Sequence, residues 1–286
     1  MQYSHPGLAT LIVMCLAASS CVMESEDLGA NALPVVDGTV STEGSWPTMV
    51  SIASIHSSRA DRHWCGGTLI RPDKVMTAAH CFNTDADPGS YEIRIGRINL
   101  GTSSGEVVEV VDIQFHPDYD DDTNDHDLAV LTLEDSVVGV TPTRLVSPAR
   151  MAEIGPGDKA VMMGWGTTSS GGSGSTTLRE VSLPIIAVGA ACNEETDYET
   201  VTENQICIGR LDGGQDTCQG DSGGPAFVWH DGEWFQIGIT SWGLGCARPE
   251  LPGVYTYLPN YLEWTFENVP GGRPAWLTSS QIIAIL

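Results

Sequence analysis

Lysine is nearly missing from this chain. Only Lys74 and Lys159 occur, and the 13 basic residues face 37 acidic ones, for a formal net charge of −24. With no basic stripe to meet phosphates, nucleic-acid binding is excluded as a function class. No C-x-x-C pair is present, which removes the usual structural zinc site. The Ser/Gly/Thr run Thr168–Thr177 lacks Gly-Lys-Thr/Ser and is followed by no helical pattern, so it is a surface loop rather than a phosphate cradle. Residues 7–20 and the apolar tail Ile282–Leu286 are both too short to cross a membrane as helices. Nothing repeats at solenoid or propeller periods.

Glycine, at 32 residues, is abundant, and only 17% of residues are charged, which suits a loop-rich all-β protein. Residues 1–20 have the apolar centre and small-residue end of a signal peptide, although the first ten residues hold no lysine or arginine. Leu16-Ala-Ala-Ser-Ser-Cys21 also resembles a bacterial lipoprotein processing site, making Cys21 a lipidation candidate. Either route exports the protein. Residues 21–34 are acidic and unpatterned and read as a propeptide or tether. Beyond the leader, six cysteines remain: Cys65, Cys81, Cys192, Cys207, Cys218 and Cys246. An even number in an oxidising compartment reads as disulfides.

From Val35 the chain turns to short apolar runs separated by glycine, proline and polar clusters. Strands are expected at Thr48–Ala53, Gly67–Ile70, Tyr91–Ile95, Val107–Phe115 and Leu128–Leu133. After a linker near Leu145–Gly157 the pattern resumes at Ala160–Gly164, Glu180–Ile186, Gln236–Ser241 and Gly253–Leu258. Two β-barrels of similar length, at 35–148 and 149–268, fit best. Pro259–Asn268 has helical spacing and is expected to pack on a barrel as a short amphipathic helix.

Three local patterns carry chemistry. Asp216–Pro225 reads Asp-Thr-Cys-Gln-Gly-Asp-Ser-Gly-Gly-Pro, with Gly220 and Gly223 allowing a tight turn beside a candidate nucleophile, Ser222. Thr77-Ala-Ala-His80-Cys81 offers a base in a rigid corner. Asp127 opens an apolar strand, a costly place for a carboxylate unless a partner such as His80 satisfies it. Singly, each residue has a bland structural explanation.

Together and in this order, Thr-Ala-Ala-His-Cys, Asp-Leu-Ala-Val-Leu and Gly-Asp-Ser-Gly-Gly-Pro closely resemble the chymotrypsin-like (trypsin-like) serine proteases, in the form of a bacterial-type secreted member. Val35-Val-Asp-Gly38, Trp64-Cys-Gly-Gly-Thr68, Gly164-Trp-Gly166 and Ser241-Trp-Gly243 add to the likeness, which covers about Val35 to Asn268. The resemblance implies two six-stranded antiparallel β-barrels with a short C-terminal helix. It implies a catalytic His80, Asp127 and Ser222, an oxyanion hole from the Gly220 and Ser222 amides, and no cofactor or metal. Asp216 would lie at the base of the primary specificity pocket, with Ser241, Trp242, Gly243 and Gly253 against the substrate, and cleavage would follow arginine or lysine. The implied bridges are Cys65–Cys81, Cys192–Cys207 and Cys218–Cys246. The implied partners are protein or peptide substrates, an activating protease and protein inhibitors, with a membrane reached only through lipid on Cys21.

In such a family the new Val35 amine pairs with Asp221 after activation. Here Pro34 precedes Val35, and no basic residue occurs before Arg59, so self-activation at that bond is not expected. A heterologous protease that cuts after proline is expected instead. Asp37 replaces the usual glycine. The acidic run His116–Asp127 matches no calcium-loop spacing and is expected to be a solvated loop. The alternative to an enzyme is a binding protein held permanently in precursor form on the same scaffold.

Overall fold

The computed structural model of the protein describes residues 38–268. The leader, Cys21, the tether, Val35 and the tail 269–286 lie outside the described residues. The first barrel is built from β2 (Met49–Ser54), β3 (His63–Arg71), β4 (Lys74–Thr77), β5 (Tyr91–Ile95), β6 (Glu106–Phe115) and β7 (Ala129–Leu133). Its strands are antiparallel and close in the order β2-β3-β4-β7-β6-β5. The second contains β8 (Lys159–Gly164), β9 (Arg179–Val188), β10 (Gln205–Ile208), β11 (Pro225–His230), β12 (Glu233–Trp242) and β13 (Gly253–Tyr257). These run β9-β10-β13-β12-β11-β8, and the β8–β9 pairing closes the ring. The expected fold of two six-stranded antiparallel barrels is the fold observed.

Alternation places the side chains. Tyr91, Ile93 and Ile95 point inward from β5 while Glu92 and Arg94 are half-buried, the period-2 pattern of a strand with one face in a core. Three barrel strands, and the short β1 (Thr39–Val40) outside the barrels, had no advance signal. β4 and β10 are four residues each, and β11 begins at Pro225, a position where a missing N–H costs no ladder bond.

The two chain ends cross over. β1 (Thr39–Val40) pairs with Arg179 and Glu180 of β9, in the second barrel. The closing segment is a 3-10 turn, Leu258–Tyr261, followed by a helix, Leu262–Asn268. It delivers Leu258, Tyr261 and Leu262 to the core of the first barrel, beside Val50, Leu69, Ile93 and Leu131. Burying a side chain of this size contributes about 2 kcal/mol. A short helix, Pro148–Met151, capped by Ser147 Oγ accepting from Arg150 N, stands in the connection between barrels.

The disulfides are Cys65–Cys81, Cys192–Cys207 and Cys218–Cys246, the pairing expected. They close loops with sequence separations of 16, 15 and 28 residues. In the chain-entropy account each such loop is stabilised by about 3 kcal/mol.

Candidate active site

His80 leaves the end of β4 on a 3-10 turn, Ala79–Cys81, and the Cys65 bridge ties that turn to β3. Trp64 Nε1 donates to the Cys81 carbonyl at 2.5 Å, fixing the corner from a second side. The His80 amide donates to Asp127 Oδ1 at 2.9 Å, and His80 Nδ1 lies 2.7 Å from Asp127 Oδ2. A carboxylate only accepts, so Nδ1 carries the proton and Nε2 is left with its lone pair.

Asp127 has no exposed surface. The cost of burying its carboxylate is offset by three donors, the two from His80 and the Ser241 hydroxyl to Oδ2, while Thr256 Oγ1 donates to its main-chain carbonyl at 2.8 Å. Ser241 was expected against the substrate. Its hydroxyl faces Asp127, and only its place on the pocket wall was legible from the sequence. Burial opposes a charge on His80, but the Asp127 charge and hydrogen bond outweigh it and hold the imidazole above its ordinary value.

Ser222 lies on a turn bolted to both barrels. Its carbonyl accepts from the Gly66 amide of β3 at 2.7 Å, and the Gly223 amide donates to Thr240 in β12 at 2.8 Å. Gly223, at φ +77°, leaves no room for a side chain: a Cβ would stand 2.2 Å from Thr77 Oγ1 and 3.2 Å from the Ala78 nitrogen. The turn therefore packs against the residues that lead into His80. The amides of Asp221, Gly223 and Gly224 donate to Cys218, Thr240 and Asp221 carbonyls. The amides of Gly220 and Ser222 have no acceptor among the described residues. Gly220 holds φ at +95°, the left-handed region that glycine enters without strain.

Beside Ser222 opens a cavity of about 200 Å³, lined by Asp216, Ser222, Ser241, Trp242, Gly243 and Gly253 among others. Cys218 and Cys246 also line it, so their bridge is part of the wall. Asp216 is 3% exposed, and its carboxylate accepts from the Thr217 and Ala247 amides at 2.8 and 3.0 Å. No cationic side chain pairs with it among the described residues. Burial pushes the carboxyl up to about 7, the two amides pull it back, and the Asp221 charge adds to the rise. A Cβ at Gly243 would meet nothing nearer than 3.7 Å, whereas one at Gly253 would lie 3.1 Å from Asp216 Oδ1.

Asp221 is enclosed completely. Oδ1 accepts from the Gly166 amide at 2.8 Å and Oδ2 from the Cys218 amide at 2.9 Å. Gly164 and Gly166 make the space, since a Cβ on either would overlap the carboxylate. Burial raises the carboxyl to about 6 against the pull of those amides and of the Arg59 charge. The sequence supplied no sign of Gly164 and Gly166 as its cradle beyond the Gly-Trp-Gly pattern itself.

The acidic run before Asp127 is less uniform than expected. Asp120, Asp121 and Asp122 are exposed, but Asp125 accepts from Thr202 Oγ1 at 2.8 Å and Asn204 Nδ2 at 3.1 Å. His116 and His126 stack with ring centres 4.9 Å apart.

Comparison with known proteins agrees with this geometry. The family model described as Trypsin matches residues 35–265. A vitellin-degrading protease of Bombyx mori is 36% identical over 267 residues, covering 93% of this chain and 95% of that protein.

Proposed function

The chain belongs to the trypsin family of serine proteases, and from that premise we propose that it is an exported endopeptidase cleaving after arginine or lysine. Ser222 Oγ attacks the scissile carbonyl while His80 Nε2 accepts its proton. Asp127 holds the imidazole by Nδ1 and stabilises the imidazolium, remaining ionised throughout. The open amides of Gly220 and Ser222 receive the oxyanion, each donor contributing about 3 kcal/mol of transition-state stabilisation. His80 then protonates the leaving amine, and water repeats the sequence on the acyl-enzyme.

One observation carries the specificity: Asp216 lines a cavity beside Ser222, buried and without a cationic partner among the described residues. A guanidinium or ammonium entering that cavity supplies the missing charge. The overall charge of −24 favours the approach of cationic substrates. The precursor is released by cleavage at Pro34–Val35 by another protease, and the new amine reaches Asp221. Active enzyme whose N-terminal sequence begins elsewhere than Val35 would overturn that assignment. Export rests on the apolar leader and the three bridges, with release to the medium or lipid attachment at Cys21 as its two routes. Protein inhibitors shaped to the same pocket complete the set of partners.

The reading is tested with paired arginine and phenylalanine amide substrates and a phosphonyl reagent aimed at Ser222. Turnover of the arginine substrate with labelling at Ser222 supports it. Equal or better cleavage after phenylalanine defeats the specificity, and no labelling at all makes the protein a binding scaffold.

A further inference from the structure

Arg59 is the first basic residue in the chain and belongs to no motif. Its guanidinium reaches from the β2–β3 connection of the first barrel across to the 165–175 loop of the second. Nη1 donates to the Trp165 carbonyl at 2.8 Å and Nη2 to the Ser175 carbonyl at 2.7 Å. Nε and Nη2 also form a bidentate pair with Asp61, at 2.9 and 2.8 Å. Burial works against a charge on Asp61, yet the Arg59 hydrogen bond and charge, together with the His63 amide, hold its carboxyl below the usual value. Asp61 is in turn fixed by accepting from the His63 amide at 3.1 Å, while its carbonyl accepts from Arg94 Nη1. The site is shaped for the arginine: a Cβ on Gly174 would lie 1.8 Å from Nη1.

The carbonyl of Trp165 and the amide of Gly166 are two ends of one peptide group. Arg59 binds the oxygen end, and the hydrogen end donates to Asp221 Oδ1 at 2.8 Å. A cation on the carbonyl polarises the peptide and strengthens the bond its N–H makes on the other side. Asp221 uses its second oxygen to fix the Cys218 amide, and its own amide donates to the Cys218 carbonyl at 2.9 Å. That turn carries the two open amides of Gly220 and Ser222.

We propose that Arg59 is a positioning residue for the oxyanion hole. It acts through the Trp165–Gly166 peptide on Asp221, and through Asp221 on the turn that aims the Gly220 and Ser222 amides. Among the described residues Arg59 is the charged side chain that lowers the Asp221 carboxyl, and the Asp221 charge in turn raises Asp216. The inference rests on the protease reading above.

The test compares wild type, Arg59→Met, Arg59→Lys and Gly174→Ala as mature enzyme. Kinetics on an arginine amide are read beside a carbon-13 NMR titration of the Asp221 carboxyl, assigned through Asp221→Asn. Arg59→Met is expected to lower kcat by roughly tenfold to a hundredfold with KM within about twofold, as for a small misplacement of reacting groups. The Asp221 midpoint should rise in the same variant. Arg59→Lys keeps the charge but cannot bridge both carbonyls, so it recovers the midpoint and only part of kcat. Gly174→Ala leaves Arg59 in the chain and displaces its guanidinium, lowering kcat in the same direction. It decides the matter if Arg59→Met does not fold. Unchanged kcat in folded Arg59→Met or in Gly174→Ala overturns the proposal. A kcat loss without movement of the Asp221 midpoint overturns the relay. Wild type that neither cleaves the arginine substrate nor is labelled at Ser222 defeats the protease reading instead, while the midpoint comparison still reports on Arg59.

Discussion

Asp216 and Asp221 stand on one segment, and each accepts two backbone amides. Both are shut off from solvent, and burial raises both, to about 7 and about 6. The difference lies in what surrounds them. Asp216 borders a cavity of about 200 Å³, so a cationic partner can reach it from outside. Asp221 is closed in by Gly164 and Gly166, and among the described residues the cation that acts on it, Arg59, reaches it through a peptide. Under the proposed function the first recognises a substrate cation and the second holds a turn. A buried carboxylate on its own therefore says little about its task, and the space beside it says much.

That contrast breaks first on specificity. Asp216→Asn should reduce kcat/KM for an arginine substrate by about a hundredfold to a thousandfold, the loss typical when one member of a buried charge pair is removed. A phenylalanine substrate measured alongside should change little. Asp221→Asn is expected to lower kcat on both substrates alike, by on the order of a hundredfold, because the oxyanion donors lose their aim. A selective effect in the second variant, or an unselective one in the first, would merge the two roles.

Titration sharpens the contrast. Ionised Asp216 is the form that binds a cation, so KM for the arginine substrate should rise as pH falls through about 7. KM for the phenylalanine substrate should stay flat. Separately, kcat should fall on the acid side with a midpoint above the ordinary imidazole value, because Asp127 holds His80 protonated to higher pH.

The same carboxyl has a stability signature in the empty enzyme. Its folded value lies above its unfolded one, so between about 4 and 7 the native state holds the extra proton and stability falls as pH rises. Asp216→Asn removes that penalty, and thermal melts at pH 8 without ligand should show a melting temperature a few degrees higher. Smaller still is the glycine pair. A methyl at Gly253 presses on Asp216 Oδ1, and Gly253→Ala should weaken arginine binding by about 1 kcal/mol, as a modest overpacking does. Gly243→Ala, with nothing nearer than 3.7 Å, should cost less in the same KM measurement.

Much of the fold was legible because its strands carry one buried face. The alternation over Tyr91–Ile95 and Arg179–Val188 is a local consequence of the pleat. β4 and β10 escaped notice because four residues are too few to show a period, and the crossing of the chain ends leaves no local mark. In the site, the sequence suggested His80 as a partner for Asp127, and the two are 2.7 Å apart, whereas the place of Asp216 on a cavity wall was implied only by the family resemblance. The donors that settle Asp127, Ser241 and Thr256, did not announce that task, since they arrive from β12 and β13, more than a hundred residues away.

The family resemblance implied the cysteine pairing, but the chain by itself determined only which residue types occupy the three motifs and that an acid precedes the Ser222 turn. Those depend on short stretches whose side chains and glycines act on their own neighbours. Closure of two barrels against each other decided the rest. It brought the Gly66 amide to Ser222, left the Gly220 and Ser222 amides without acceptors, and laid the Arg59 guanidinium on the peptide that serves Asp221. A hydrogen bond between distant segments is fixed by where the folded backbone carries its donor and acceptor, and no local pattern records that meeting.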